Sequence, residues 1–170
     1  MQAAGQSSAP EPRTAPRNVG APRVEGETLG AGAAAGHRRV VLVAVSGMDR
    51  RALVATAFAR SVPAMTRAVV HVSVDPQVGE SLAIAWKGSP LGGEPLYIVD
   101  DAGGVAATLA AVTCDLLAAD ADEVLVVAGQ LLMPGIRRRL LHDHTADAIA
   151  RVVNPIARAS AVLLPVAARR

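Results

Sequence analysis

The chain has 170 residues, 51% hydrophobic but only 2% aromatic, so it is long enough for one domain with an aliphatic core. The net charge of +2 is uneven: residues 1–39 hold five Arg against three Glu, while the remainder holds 12 basic and 12 acidic residues. A neutral domain behind a basic tail excludes a dedicated DNA-binding face, and the scarcity of aromatics argues against base stacking on single-stranded nucleic acid.

Residues 1–36 are rich in Ala, Gly, Pro, Ser and Arg without periodicity. Such a segment buries too little apolar surface to offset its ordering entropy, so a disordered N-terminal tail is expected, followed by an α/β domain over 37–170. Val40–Val45 is a continuous, mostly β-branched run stopped by Ser46-Gly47, which predicts a strand buried on both faces. Asp49 is placed to cap a helix over Arg50–Ser61, with Leu53, Ala57 and Phe58 on its inner face. Ala68–Val74 reads as a second strand ending at Asp75-Pro76, and Gln77–Trp86 as a short helix. Ser89-Pro90 and Gly92-Gly93 mark a turn before a third strand, Leu96–Val99.

Val105–Ala119 predicts a long Ala/Leu/Val helix, with Cys114 inside its apolar pattern as a buried, inert small hydrophobe. Glu123–Ala128 is the fourth strand. Arg137–Arg158 is expected to be helical and broken or bent before Pro155, and Ala161–Val166 is the fifth strand. This alternation implies a five-stranded parallel sheet with right-handed crossovers and helices on both faces, a Rossmann-like α/β fold. The lone cysteine excludes an intrachain disulfide framework, and no apolar run approaches the about 20 residues of a membrane span. No leader pattern is seen at the N-terminus, so a cytoplasmic protein is expected, and the Ala/Arg/Val/Gly-heavy composition suggests a bacterial source.

Several short stretches carry a family resemblance. They are Val43-Ala44-Val45-Ser46-Gly47-Met48-Asp49-Arg50, His71-Val72-Ser73-Val74-Asp75, the single Trp86, Pro95-Leu96-Tyr97-Ile98-Val99, and Leu140-Leu141-His142-Asp143-His144-Thr145-Ala146. Together they resemble universal stress proteins, and more closely the cytosolic C-terminal domain of bacterial amino acid–polyamine–organocation permeases, here in free-standing form. The resemblance spans about Arg38 to Val166. It implies a non-catalytic regulatory module that responds to stress or regulates a transporter, binding ATP or AMP, or a signalling dinucleotide such as cyclic di-AMP. The implied pocket uses Ser46 and Gly47 after the first strand, Val74 and Asp75 after the second, and Gly129, Gly135, Arg137, Arg138, His144 and Thr145 after the fourth. The chain departs from the nucleotide-binding stress proteins in two ways. Ser46 stands where they carry Asp, and His144-Thr145 stands where their phosphate loop carries Gly-Ser/Thr, which removes a close backbone approach to phosphate. The alternative is therefore a ligand-free interaction module that docks on a transporter or another partner.

The candidate residues also have plainer readings. Arg137-Arg138-Arg139 suits a phosphate, although consecutive helical residues point about 100° apart and at most two converge. Arg at a helix start opposes the macrodipole unless an anion sits there; a solvated first turn is the alternative. His142 and His144 diverge on a helix, and no Cys or Glu cluster supplements them, so no metal is expected. His71 reads as a satisfied core histidine facing a covering helix. Asp75 and Asp100-Asp101 stand at strand ends, where ligands bind in open α/β sheets and where Asp also serves as a cap or turn former. No nucleophile elbow and no Walker lysine occurs, so catalysis is not expected. The fifth strand, Ala161-Val162-Leu163-Leu164, is expected at an open edge and to pair two copies as a homodimer.

Overall fold

The computed structural model describes residues 37–132 and 144–167. The expected disordered tail lies outside the described residues, as do Gly135, Arg137 and Arg138. Among the described residues, five strands alternate with four helices: β1 Arg39–Ala44, α1 Arg50–Ser61, β2 Thr66–Ser73, α2 Pro76–Lys87, β3 Leu96–Asp100, α3 Val105–Ala118, β4 Glu123–Leu132, α4 His144–Val153 and β5 Ala159–Ala167. All strand pairs are parallel and the order is β3-β2-β1-β4-β5. The Rossmann-like α/β architecture is the one the strand–helix alternation implies.

The strands with continuous apolar runs lie centrally because both of their faces are covered. Val40 and Leu42 of β1 join Val70, Val124 and Val126 in a cluster sealed by Leu109 of α3 and Ile149 and Val153 of α4. Val41 and Val43 point the other way and join Val69 and Val127 under Ala52, Ala55 and Ala59 of α1 and Trp86 of α2. Trp86 is 2% exposed, and its indole N–H donates to the Glu94 carbonyl at 2.9 Å, so its polar atom is satisfied inside the packing.

Three local expectations need correction. The inner face of α1 is Ala52, Ala55, Thr56 and Ala59, whereas Leu53 is 48% exposed, Ala57 is exposed and Phe58 is half-buried. Small side chains let α1 lie close to the sheet, and the larger Leu53 is turned outward. Cys114 is exposed: α3 buries Leu109 and Thr113 instead, and the Thr113 hydroxyl is satisfied by donating to the Leu109 carbonyl at 2.8 Å. The last helix, expected over Arg137–Arg158, is described only from His144 and stops at Val153, two residues before Pro155.

β5 lies at a sheet edge, as expected. Its pairing with β4 continues through Gly129↔Leu164 to Leu132↔Ala167, four residues beyond the last β1–β4 pair at Ala44↔Ala128. Pro165 fits this position because an edge strand has one side without a ladder partner.

Candidate functional site

β1 leads through β2 to β3 on one side of the sheet, and its other neighbour, β4, leads to β5. The connections leaving β1 and β4 therefore diverge, and a crevice opens at the carboxyl ends of the strands. A cavity of about 530 Å³ sits there, within the size range of small-molecule sites. Its floor is apolar, with Ala44, Val70, Val72 and Leu109 among the lining residues; Ser46, Asp49, Arg51, His71, Ser73, Asp75 and Thr145 supply the polar groups.

The first polar group is built by the start of α1. Asp49 caps the helix: its Oδ1 accepts from the Arg51 and Ala52 backbone N–H groups at 2.8 and 3.1 Å. Its Oδ2 takes the Arg51 guanidinium, with Nε and Nη2 both at 2.7 Å, and Nη2 also donates to Ser46 Oγ at 2.9 Å. Partial burial alone would raise the Asp49 pKa. The hydrogen bonds from Arg51 and Ala52, with the Arg51 charge, outweigh that burial and hold the carboxyl below its ordinary value. Asp49 therefore stays ionised at neutral pH, and Arg51 lies as a cation along the cavity wall.

The second group is at the start of α2. Asp75 Oδ1 accepts from the Gln77 N–H at 2.9 Å, and Ser73 Oγ donates to the Asp75 carbonyl at 2.6 Å. The starts of α1 and α2 thus each carry an internal carboxylate, which occupies the partial positive charge that would otherwise draw an anion.

His71 is 5% exposed and lines the cavity. It faces the α1–α2 side of the sheet, in alternation with Val69. Nδ1 bonds the Val45 carbonyl at 3.0 Å. A carbonyl only accepts, so Nδ1 carries the proton and Nε2 of the neutral ring is an acceptor. Nε2 has no partner among the described residues. The core histidine expected from sequence is therefore buried but only half satisfied, and an unpaired buried polar atom in a cavity wall is the kind of group a ligand satisfies.

Of the sequence-derived candidates, Ser46, Val74, Asp75, Gly129 and Thr145 line the cavity together. Gly47 is not among the lining residues. His144 opens α4 and is exposed, next to the lining Thr145. Gly129 has a packing reason for being glycine, because a Cβ there would come within 2.6 Å of the Arg51 Cβ and 2.9 Å of its Cα. Asp101 is a turn former, its Oδ1 accepting from the Gly103 and Gly104 N–H groups at 3.2 and 2.6 Å, and both glycines have positive φ. The sequence reading missed Arg51. The only signal was an Arg two residues after a helix cap, which is commonplace.

A doubly wound parallel sheet with a crevice at its switch point defines a Rossmann-like α/β domain. Among the described residues, no group of three metal-capable side chains occurs, and no helix is long and apolar enough to cross a membrane. The family model for the KimA potassium transporter C-terminal domain matches residues 37–166, and the chain belongs to that family. A transporter C-terminal domain is consistent with a regulatory or partner-docking module and places the chain in a membrane-transporter context. No curated protein matches it.

Proposed function

We propose that the chain is a non-catalytic regulatory domain of universal-stress-protein type that binds an adenine nucleotide or an adenine signalling dinucleotide and passes its occupancy to a transporter. The observation that carries this reading is the cavity at the switch point, with the unpaired Nε2 of buried His71 in its wall. The Asp75 carboxylate that caps α2 suits the uncharged, donor-bearing end of such a ligand. The phosphate end then falls toward Thr145 at the start of α4; Gly135, Arg137 and Arg138, which the resemblance assigns to the same ligand, lie outside the described residues. The test is thermal unfolding of the 170-residue chain with ATP, AMP, cyclic AMP and cyclic di-AMP in turn. A ligand at 100 times its dissociation constant adds about 2.7 kcal/mol, a rise of several degrees for a chain of this size. No shift with any of the four rejects the reading.

A second reading is favoured by the open side of β5, a nine-residue edge strand with the apolar run Ala161-Val162-Leu163-Leu164. It makes the chain a ligand-free docking module that pairs with a second copy or with a transporter through that edge. Light scattering across the micromolar range tests the homodimer, and a monomer throughout rejects it.

A further inference from the structure

We infer that Arg51 is the anion-holding residue of the cavity and that Asp49 is its internal competitor, displaced when a phosphate-bearing ligand enters. This rests on the nucleotide reading above and adds the residue that engages the ligand's charge and the contact that regulates it.

Arg51 is the one Lys or Arg among the described residues that line the cavity. Its position is over-determined. Asp49 fixes its backbone by capping α1, and Gly129 lets its Cα and Cβ press against the end of β4. The side chain therefore starts beside Gly129 of β4 and reaches Asp49 and Ser46 after β1, in the wall of the cavity. Arg51 Nε and Nη2 both meet the single oxygen Oδ2 of Asp49, and a phosphate, with more than one free oxygen, offers the same two donors a two-pronged partner.

The pair is partly exposed, with side-chain accessibilities of 27% for Arg51 and 42% for Asp49, so exchange does not require the core to open. Asp49 also keeps its two backbone bonds through Oδ1 when Oδ2 is vacated, so the helix cap survives the exchange. The unpaired Nε2 of His71, 5% exposed in the same cavity wall, is an independent sign that the cavity receives a ligand.

The two partners give opposite outcomes, which separates this role from a structural one. Asn caps helices about as well as Asp, so Asp49→Asn removes the competing charge while keeping the cap. Calorimetric titration of the 170-residue chain with AMP, and with adenosine as the probe lacking phosphate, reads both effects. Arg51→Gln is expected to weaken AMP about tenfold or more and to leave adenosine unchanged, as loss of a charged hydrogen-bond partner does. Asp49→Asn is expected to tighten AMP severalfold. Unchanged AMP affinity in Arg51→Gln, an equal loss for adenosine, or unchanged or weakened AMP in Asp49→Asn overturns the inference and leaves the nucleotide reading standing. Failure of the wild-type chain to bind AMP also overturns the inference, and the nucleotide reading then rests on the thermal test with ATP, cyclic AMP and cyclic di-AMP.

Discussion

Gly129 provides the sharpest test of how the cavity is built. A methyl group at this position would lie 2.6 Å from the Arg51 Cβ, 2.9 Å from its Cα and 3.0 Å from its carbonyl oxygen. Carbon atoms pack best at about 3.5–4.0 Å, so α1 would have to retreat by about 1 Å at its first turn. Two of the three obstructing atoms are backbone, and no rotamer change relieves them. Overpacking of this kind costs about 1–3 kcal/mol, against about 0.4–1 kcal/mol gained because alanine restricts the unfolded chain. Gly129→Ala is therefore expected to destabilise the protein by about 1–2 kcal/mol and to lower Tm by several degrees. Gly47→Ala is the internal control: its Cβ meets nothing within 4 Å, and it should leave stability unchanged or raise it slightly. Urea unfolding with an unchanged denaturant slope reads the difference directly. Equal stability of the two variants would refute the close approach of α1 to β4, and with it the placement of Arg51.

Other perturbations probe the same framework. Asp49→Ala removes the α1 cap and should cost about 1 kcal/mol at neutral pH. The folded carboxyl titrates below its ordinary value, so the wild type's advantage holds above the unfolded value of 3.8 and fades as pH falls through the lower folded one; unfolding curves at stepped pH show this. Trp86→Ala empties a 2% exposed site and should cost about 3–5 kcal/mol by urea unfolding followed by circular dichroism. Asp120 follows α3 with a φ of +81°, a conformation glycine adopts without strain, so Asp120→Gly should raise stability by about 0.5–1 kcal/mol in a thermal melt.

Strand identity was legible because the central strands are buried on both faces and must be apolar throughout. Val40–Val43 and Val124–Val127 therefore announce themselves without periodicity, and β5 was placed at an edge correctly. Helix faces were less legible. In α1 the buried stripe is three alanines and a threonine, and an alanine-rich helix gives hydrophobic periodicity little contrast. The same held for α3, where Thr113 can be buried because a carbonyl one turn earlier accepts its hydroxyl, and Cys114, one residue on, turns outward. The bond satisfies the buried hydroxyl, and hydropathy carries no record of it.

The cavity was half legible for a related reason. Strand ends predict where a crevice opens, which is why Ser46, Val74, Asp75 and Gly129 were found together. They do not say which polar groups are already engaged. Asp49 and Asp75 look alike in sequence, each following a strand and preceding a helix, and each does cap its helix. Only Asp49 has an arginine two residues on that folds back onto its second oxygen, which turns an ordinary cap into an ion pair on a cavity wall. His71 differs from a satisfied core histidine by one missing partner at Nε2, and a missing partner leaves no trace in the sequence. Residue types and spacing fix where such groups sit along the chain. Whether they are already engaged depends on distances across the sheet, and at this site those distances separate the plain cap at Asp75 from the ion pair on the cavity wall at Asp49.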